Sequence, residues 1–413
     1  MSNKMELPES VGMSSQRLDR IGVAMQRYVD DGTVRGISTM VMRKGKLVHA
    51  GQFGHRDAEA GLEMTPDTIF RVYSMTKPIV STALMLLHEE AAFQLEDPVA
   101  KYLPAFGATA VLGADGSLAP QARPMEVRDL LTHTSGLTYD FMEDTSAGQL
   151  YRDARIMNDA TRTLEELIDA LAKIPLASQP GSRWHYSVGI DVAARLIEVL
   201  SGQSLGAFLN ERIFGPLGMT DTGFSVADGN LNRLSAMYGL PDLFGQDHTG
   251  TKLVEAALGG FNECIDVSAT YPTGAPEVFA RGGFGLFSTI GDYAKFAQML
   301  LNGGRLDGTK IIGRKTLDLM HANHLPPELL PWALLGQDND GFGFGLGSRV
   351  MMDVAASAGP GSVGEYGWLG AAKTSYWVDP AEDLVGLFMA QYMTGVALPD
   401  RDMRSLTYQA IDD

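Results

Sequence analysis

The sequence predicts an α/β protein of the α+β kind, with an antiparallel sheet flanked by helices and a mainly helical domain inserted into it. Three observations lead there. Strand-like alternation is concentrated at the two ends of the chain. Between them, from about Leu95 to Gly282, turns and short amphipathic helices dominate. A strongly apolar helix, Ile79 to Leu87, follows the first sheet segment directly. The simplest topology builds a sheet domain from residues 1–90 and 283–413 and inserts a helical domain of residues 91–282 between them.

The elements follow in order. Ser14 or Ser15 caps a helix running to about Val29, with Leu18, Ile21, Met25 and Tyr28 on one stripe. Gly36 to Met42 alternates, and Leu47 to Gly51 follows a short Lys44-Gly45 turn, which makes a β-hairpin. In the insert, Glu126 to Leu131, Thr163 to Ile174, Asp191 to Leu200 and Leu205 to Ile213 read as helices. Sheet character returns near Gly285. Ile290 to Leu301 is a helix stopped by Asn302-Gly303-Gly304. Gly343 to Met352, Gly364 to Val378 and Leu384 to Gln391 are strand-like, with a turn at Asp379-Pro380-Ala381-Glu382-Asp383 before the last. A helix from Asp402 to Ile411 follows. No internal repeat or low-complexity tract interrupts this order.

Composition narrows the function classes. Of 413 residues, 45% are hydrophobic and 20% charged, an ordinary globular balance rather than a disordered one. A net charge of −17 argues against nucleic acid or an anionic membrane surface as partner. A single cysteine, Cys264, excludes an internal disulfide framework and fits a reducing compartment. Met1 to Gly12 lacks an apolar run of signal-peptide length, and no stretch approaches ~18 consecutive apolar residues. A cytoplasmic location and no membrane partner are expected.

The candidate chemistry centres on Arg71-Val72-Tyr73-Ser74-Met75-Thr76-Lys77-Pro78. Ser74 and Lys77 are three apart at a helix start, on one face, so the lysine nitrogen can reach the serine hydroxyl. No other S-x-x-K occurs in the chain. Alone, the pair also fits a capping serine beside a surface lysine. Tyr186, in Trp184-His185-Tyr186-Ser187-Val188, sits at a loop–helix junction of the insert and can share a proton with both. A half-buried structural tyrosine is the plainer alternative. Trp368-Leu369-Gly370-Ala371 lies on a late strand able to offer a backbone N–H to an oxyanion and close access at a glycine. It also fits an ordinary strand with one buried aromatic residue.

Other motifs are set against these. Gly202-Gln203-Ser204-Leu205-Gly206 matches G-x-S-x-G, which needs a strand before its serine. Here a helix precedes it, so Gly202 reads as a helix C-cap and Ser204 as the next N-cap. His321 and His324 lack further metal ligands around them and are expected as exposed loop residues. Gly341 to Gly347 is glycine-rich without the dinucleotide-binding spacing and reads as a tightly packed strand entry. Tyr139 and Phe141 are candidates to line an acyl pocket, or are simply residues of a surface loop.

Taken together and in this order, the Ser74, Tyr186 and Trp368 stretches resemble the serine β-lactamase-like superfamily. They look most like its family VIII carboxylesterases, esterases related to class C β-lactamases and D-Ala-D-Ala peptidases. Supporting stretches are Leu130–Leu137, Ile213–Met219, Gly282–Thr289 and Met299–Gly304, and the resemblance spans nearly the whole chain. It implies a β-lactamase/D-Ala-D-Ala peptidase-like fold. It also implies Ser74 as acyl-accepting nucleophile, Lys77 as its base partner and Tyr186 as the active-site tyrosine. Trp368, Leu369 and Gly370 would fill the place of the β-lactamase K-T-G strand, and the N–H groups of Ser74 and Ala371 would form the oxyanion hole. Two departures stand out. Val188 replaces the Asn of Y-x-N, and Trp368 replaces the K-T-G lysine. Lys373, five residues on in an extended strand, would lie roughly 16 Å away and on the other face.

The expectation is a serine carboxylesterase without cofactor or metal, acting on a small neutral ester through an acyl-enzyme. β-Lactam hydrolysis, D-aminoacyl peptidase action, acyl transfer, or a silent binding relative stand as alternatives.

Overall fold

In the computed structural model, which describes residues 4–142, 145–239, 263–393 and 399–413, strands from both ends of the chain meet in one sheet. Part of the expected insert, residues 240–262, therefore lies outside the described residues. Ser14 caps a short turn, Ser15–Leu18, and the first helix continues as α1, Arg20–Asp30. Then come β1, Gly36–Arg43, and β2, Lys46–Asp57. They are joined by Lys44 and Gly45, both at positive φ, as a two-residue hairpin turn requires. β3, Leu62–Glu63, and β4, Ile69–Arg71, precede α2, Thr76–Glu89.

The middle of the chain supplies α3, Val127–Leu131, α4, Leu164–Leu171, α5, Gly189–Ser201, and α6, Leu205–Leu209. Leu205 to Ile213 is thus not one α-helix, since a π-helical turn spans Asn210–Phe214. β5, Phe287–Thr289, pairs antiparallel with β4 and leads into α7, Ile290–Leu301. Thr289 caps α7 through Asp292 N, and Gly303 and Gly304, at φ 67° and 89°, take the chain out of it.

The two late segments expected as single strand-like stretches each fold as a hairpin. Gly343 to Met352 splits into β6, Phe342–Phe344, and β7, Arg349–Met351. Gly347 lies between them at φ 94°, and a Cβ there would come 2.2 Å from Ser81 Oγ on α2. Gly364 to Val378 holds β8, Tyr366–Gly370, and β9, Thr374–Asp379, with a reversal at 371–373. β10, Leu384–Ala390, and α8, Pro399–Gln409, complete the fold. Alternation reveals strand character but not a reversal inside it, which here depends on tertiary contacts of single residues.

The sheet order is β6-β7-β8-β9-β10-β1-β2-β3, every neighbour antiparallel. Both faces of its centre are covered, which is why β10 is apolar throughout. Leu384, Phe388 and Ala390 face a core shared with Ile21, Met25 and Met403 of α1 and α8. Val385, Leu387 and Met389 face the main core, which includes α7 and α2. α2 itself is buried on every side from Thr76 to Leu87, so it needs no polar face. It packs against α5, and its N-terminus carries the candidate site.

Candidate active site

Ser74 sits in a 3₁₀ turn, Tyr73–Met75, that runs straight into α2. Tyr73 before it has φ 44°, a left-handed conformation costing a β-carbon residue roughly 1–3 kcal/mol. The surroundings hold it there. Its buried ring packs on Tyr271 at 4.9 Å. Val72 N donates to Leu286 O, Leu286 N donates to Thr76 Oγ1, and the Tyr293 hydroxyl donates to Met75 O.

From the first turn of α2, Lys77 points back at Ser74. Its Nζ is fully buried and donates to Ser74 Oγ at 3.1 Å, the Tyr139 hydroxyl at 2.9 Å and Gly283 O at 2.7 Å. Three acceptors match the three hydrogens of an ammonium. The Tyr186 hydroxyl reaches Ser74 Oγ from the insert at 2.6 Å. Lys77 Nζ also lies 4.6 Å from the centre of the Tyr186 ring. Tyr186, 112 positions from Ser74 in the chain, thus joins the Ser74–Lys77 pair in mutual contact.

Two loops of the insert deliver the tyrosines. The loop after α3 and the loop before α5 are zipped by backbone bonds, His185 N to His133 O, Gly181 N to Thr134 O, Ala177 N to Gly136 O and Val188 N to Thr138 O. Gly136, at φ 83°, could not carry a Cβ, which would meet Ser178 O at 2.2 Å. The Thr138 hydroxyl and His185 Nε2 share a 2.7 Å bond across the zipper. Tyr139 is buried on Lys77, with Phe141 stacked behind its ring at 4.9 Å. Burial first, then Tyr186 and the Asp191 and Asp140 carboxylates, push the Tyr139 phenol well above its ordinary range, so it remains neutral at physiological pH. His133 is buried beside Tyr186, 4.8 Å between rings. Desolvation, with Lys77 and His185 adding, pulls its imidazole well below its usual value.

The late strand closes the site. Gly370, at the end of β8, approaches the segment before Ser74 so closely that a Cβ would meet Val72 O at 2.4 Å, and Thr374 Oγ1 donates to Val72 O. β8 and β9 pack against the Ser74 turn, and Ala371 directly follows Gly370 at the end of β8. Trp368 and Leu369 point to opposite faces. Leu369 is exposed, whereas Trp368 is buried against Phe344 at 5.2 Å and Tyr186 at 5.8 Å. Trp332 and Trp184 complete this aromatic wall, their rings 4.4 Å apart. Val188 is buried at the start of α5.

The remaining candidates fall elsewhere. Ser204 is exposed and caps α6 through Ala207 N, with Gly202 in the left-handed C-cap of α5. His321 and His324 lie in the loop after a helix, as expected, but are partly buried rather than exposed. His321 ends a helix, Arg314–Met320, and stacks on Tyr366 at 3.4 Å, and His324 bonds Leu319 O. Lys373 is not on a continuing strand but in the β8–β9 reversal at φ 59°, and its charge interacts with those of Asp400 and Arg401 on α8. Among the described residues no group of three or more His, Cys, Asp or Glu side chains is placed to hold a metal ion. Nor is any single described helix long and apolar enough to cross a membrane.

Sequence reasoning missed Gly283 O as the shortest acceptor of Lys77, Trp332 in the wall and Asp191 behind Gly283. The glycine pair Gly282-Gly283 was the available signal, since consecutive glycines mark close backbone approach.

The β-lactamase family profile matches residues 23–409. Protein Rv1367c of Mycobacterium tuberculosis is 35% identical over 383 residues, 91% of this chain and 90% of its own length. Esterase EstB of Burkholderia gladioli is 30% identical over 376 residues, 90% of this chain and 89% of its own length. Among solved structures, EstCE1, described as a hydrolase with promiscuous acyltransferase activity, superposes with a TM-score of 0.78 at 26% identity, covering 95% of this chain and 99% of the other.

Proposed function

This chain belongs to the β-lactamase family, as a serine hydrolase of the carboxylesterase type, and from that premise we propose that it cleaves neutral carboxylic esters through an acyl-enzyme on Ser74. The observation that carries the reading is the double contact on Ser74 Oγ, Tyr186 at 2.6 Å and Lys77 at 3.1 Å. Ser74 attacks the ester carbonyl and its proton passes to the Lys77–Tyr186 pair, both in contact with its Oγ. The N–H groups of Ser74 and Ala371 receive the oxyanion, each donor worth about 3–4 kcal/mol in comparable sites. The same pair returns the proton to the leaving alcohol and then activates the water that releases the acid.

The preference for a neutral substrate rests on what stands where an anion would be held. Trp368 offers a buried ring rather than a cation, and Lys373 interacts with Asp400 and Arg401 on α8 instead. Val188 offers no amide. Acyl transfer to an alcohol is the second reading, since EstCE1 is described as having that activity and the acyl-enzyme chemistry is shared.

Mass spectrometry after an uncharged phosphonate ester, with rates on a short-chain nitrophenyl ester and a chromogenic cephalosporin, tests the proposal. Label on Ser74 and ester turnover far above cephalosporin turnover are expected. Full ester turnover in Ser74→Ala would overturn it.

A further inference from the structure

Behind the Ser74–Lys77 pair stands a buried carboxylate that the reaction as written does not use. Asp191 lies in the first turn of α5 and is 1% exposed. Its Oδ1 accepts from Gly283 N at 3.0 Å, while Oδ2 has no hydrogen-bond partner among the described residues. The carbonyl of that same Gly283 is the closest acceptor of Lys77 Nζ. A Cβ on Gly283 would come within 2.5 Å of Asp191 Oδ2 and 3.0 Å of the Tyr139 hydroxyl. The carboxylate, the glycine backbone and Tyr139 thus form one layer directly beneath Lys77.

Charge gives this layer a purpose. The three hydrogen-bond acceptors of Lys77 Nζ are two hydroxyls and a carbonyl, all without formal charge. A buried ammonium held only by neutral groups is costly. The Asp191 carboxylate interacts with Lys77, with the Gly283 peptide bonded to both. Burial pushes the Asp191 carboxyl up, while the Gly283 and Gly282 amides, Lys77 and Arg281 draw it down. Arg281 bonds the carbonyls of Asp159 and Arg162.

We propose that Asp191 is a positioning residue for acyl transfer. One oxygen fixes the Gly282–Gly283 backbone that aims Lys77 Nζ at Ser74, and its charge offsets the ammonium that Nζ carries during attack. The inference rests on the Ser74–Lys77–Tyr186 reading above. Attack forms the Ser74 Oγ–carbon bond and leaves the serine proton on the Lys77–Tyr186 pair. If Lys77 begins as the amine, it becomes the ammonium. If Tyr186 begins as the phenolate, Lys77 is the ammonium throughout. Either way the tetrahedral state holds a cation at Nζ, and Asp191 favours it.

Asp191→Asn keeps an acceptor oxygen of the same shape and removes the charge. The probe is the labelling rate of Ser74 by an uncharged nitrophenyl phosphate triester across pH, with melting temperature alongside. We expect labelling slowed by ~10-fold or more, and the acidic limb of the rate–pH profile displaced about one unit to lower pH, because the pair holds its proton less tightly. A rate within twofold on an undisplaced limb overturns the proposal, whatever the melting temperature does. Label on another serine would instead overturn the reading beneath it. Should Asp191→Asn not fold, stability decides through Lys77→Met. Each single change leaves one buried charge uncompensated, so the Lys77→Met/Asp191→Asn double variant should melt above Asp191→Asn alone, and no recovery overturns the proposal.

Discussion

Replacing Tyr186 with Phe removes one oxygen, 2.6 Å from Ser74 Oγ, and leaves the ring in place. The ring is held by His133, Tyr139 and Trp368 at centre distances of 4.8, 5.2 and 5.8 Å, contacts that a Phe retains. The lost hydrogen bond is only partly buried, so stability should change by about 1 kcal/mol or less. The rate should change far more. A positioned proton-transfer group contributes ~10²–10⁴-fold, or roughly 3–5 kcal/mol of barrier. The loss should also depend on the leaving group. A nitrophenolate departs without a proton, whereas an alkoxide does not, so kcat/KM should fall further on an ethyl ester than on a nitrophenyl ester. Tyr139→Phe is the matched control. It deprives the buried Lys77 of an acceptor, so it should cost ~1–3 kcal/mol of stability with a rate loss below about tenfold. Kinetics on both esters and thermal unfolding of both variants decide. Tyr186→Phe within tenfold of wild type on the ethyl ester, with Tyr139→Phe down more than about a hundredfold, would exchange the roles of the two tyrosines and refute this account.

Three further outcomes follow from the structure. Ser204→Ala should lose only a helix cap, about 0.5–1 kcal/mol in a denaturant titration, with kcat unchanged. Gly370→Ala forces a Cβ to within 2.4 Å of Val72 O, so β8 must retreat from the Ser74 turn. Overpacking of ~1–3 kcal/mol and a kcat loss near 10²-fold are expected, measured as melting temperature and ester turnover. Finally, stability should fall in mild acid. Burial lowers His49 to about 4, so between pH 6.5 and 4 the unfolded chain binds a proton that the native state refuses. Native stability is then full above pH 6.5 and declines as pH falls, by roughly 3 kcal/mol at pH 4 from this residue. The buried His133 acts in the same direction. A urea midpoint unchanged from pH 7 to 5 would contradict this.

How much of this was legible in the sequence varies with the reach of each contact. The span of α7 agrees with the sequence, where Asn302-Gly303-Gly304 marks its end locally, and the structure adds the Thr289 cap at its start. The helical nature of the segment before Ser204 was also local, and it was enough to set aside the G-x-S-x-G match. The hairpins in 342–351 and 366–379 were not legible as hairpins. Their reversals depend on Gly347 packing on Ser81 and Gly370 on Val72, contacts between residues hundreds of positions apart.

The same division runs through the site. A spacing of three across the 3₁₀ turn that runs into α2 fixes the approach of Lys77 to Ser74, so sequence alone determined that the pair could meet. Through the family resemblance it also set Trp368 against the K-T-G lysine and Val188 against the Y-x-N asparagine. Tertiary structure alone decided which tyrosine touches the serine and which touches the lysine, because their ring positions depend on two loops zipped together and folded over α2. It alone placed the Gly283 carbonyl on Lys77 and Asp191 behind it. Hydrogen bonds between neighbours on one helix follow from backbone geometry, whereas those joining Lys77 to residues 62 and 206 positions away exist only once the core has packed.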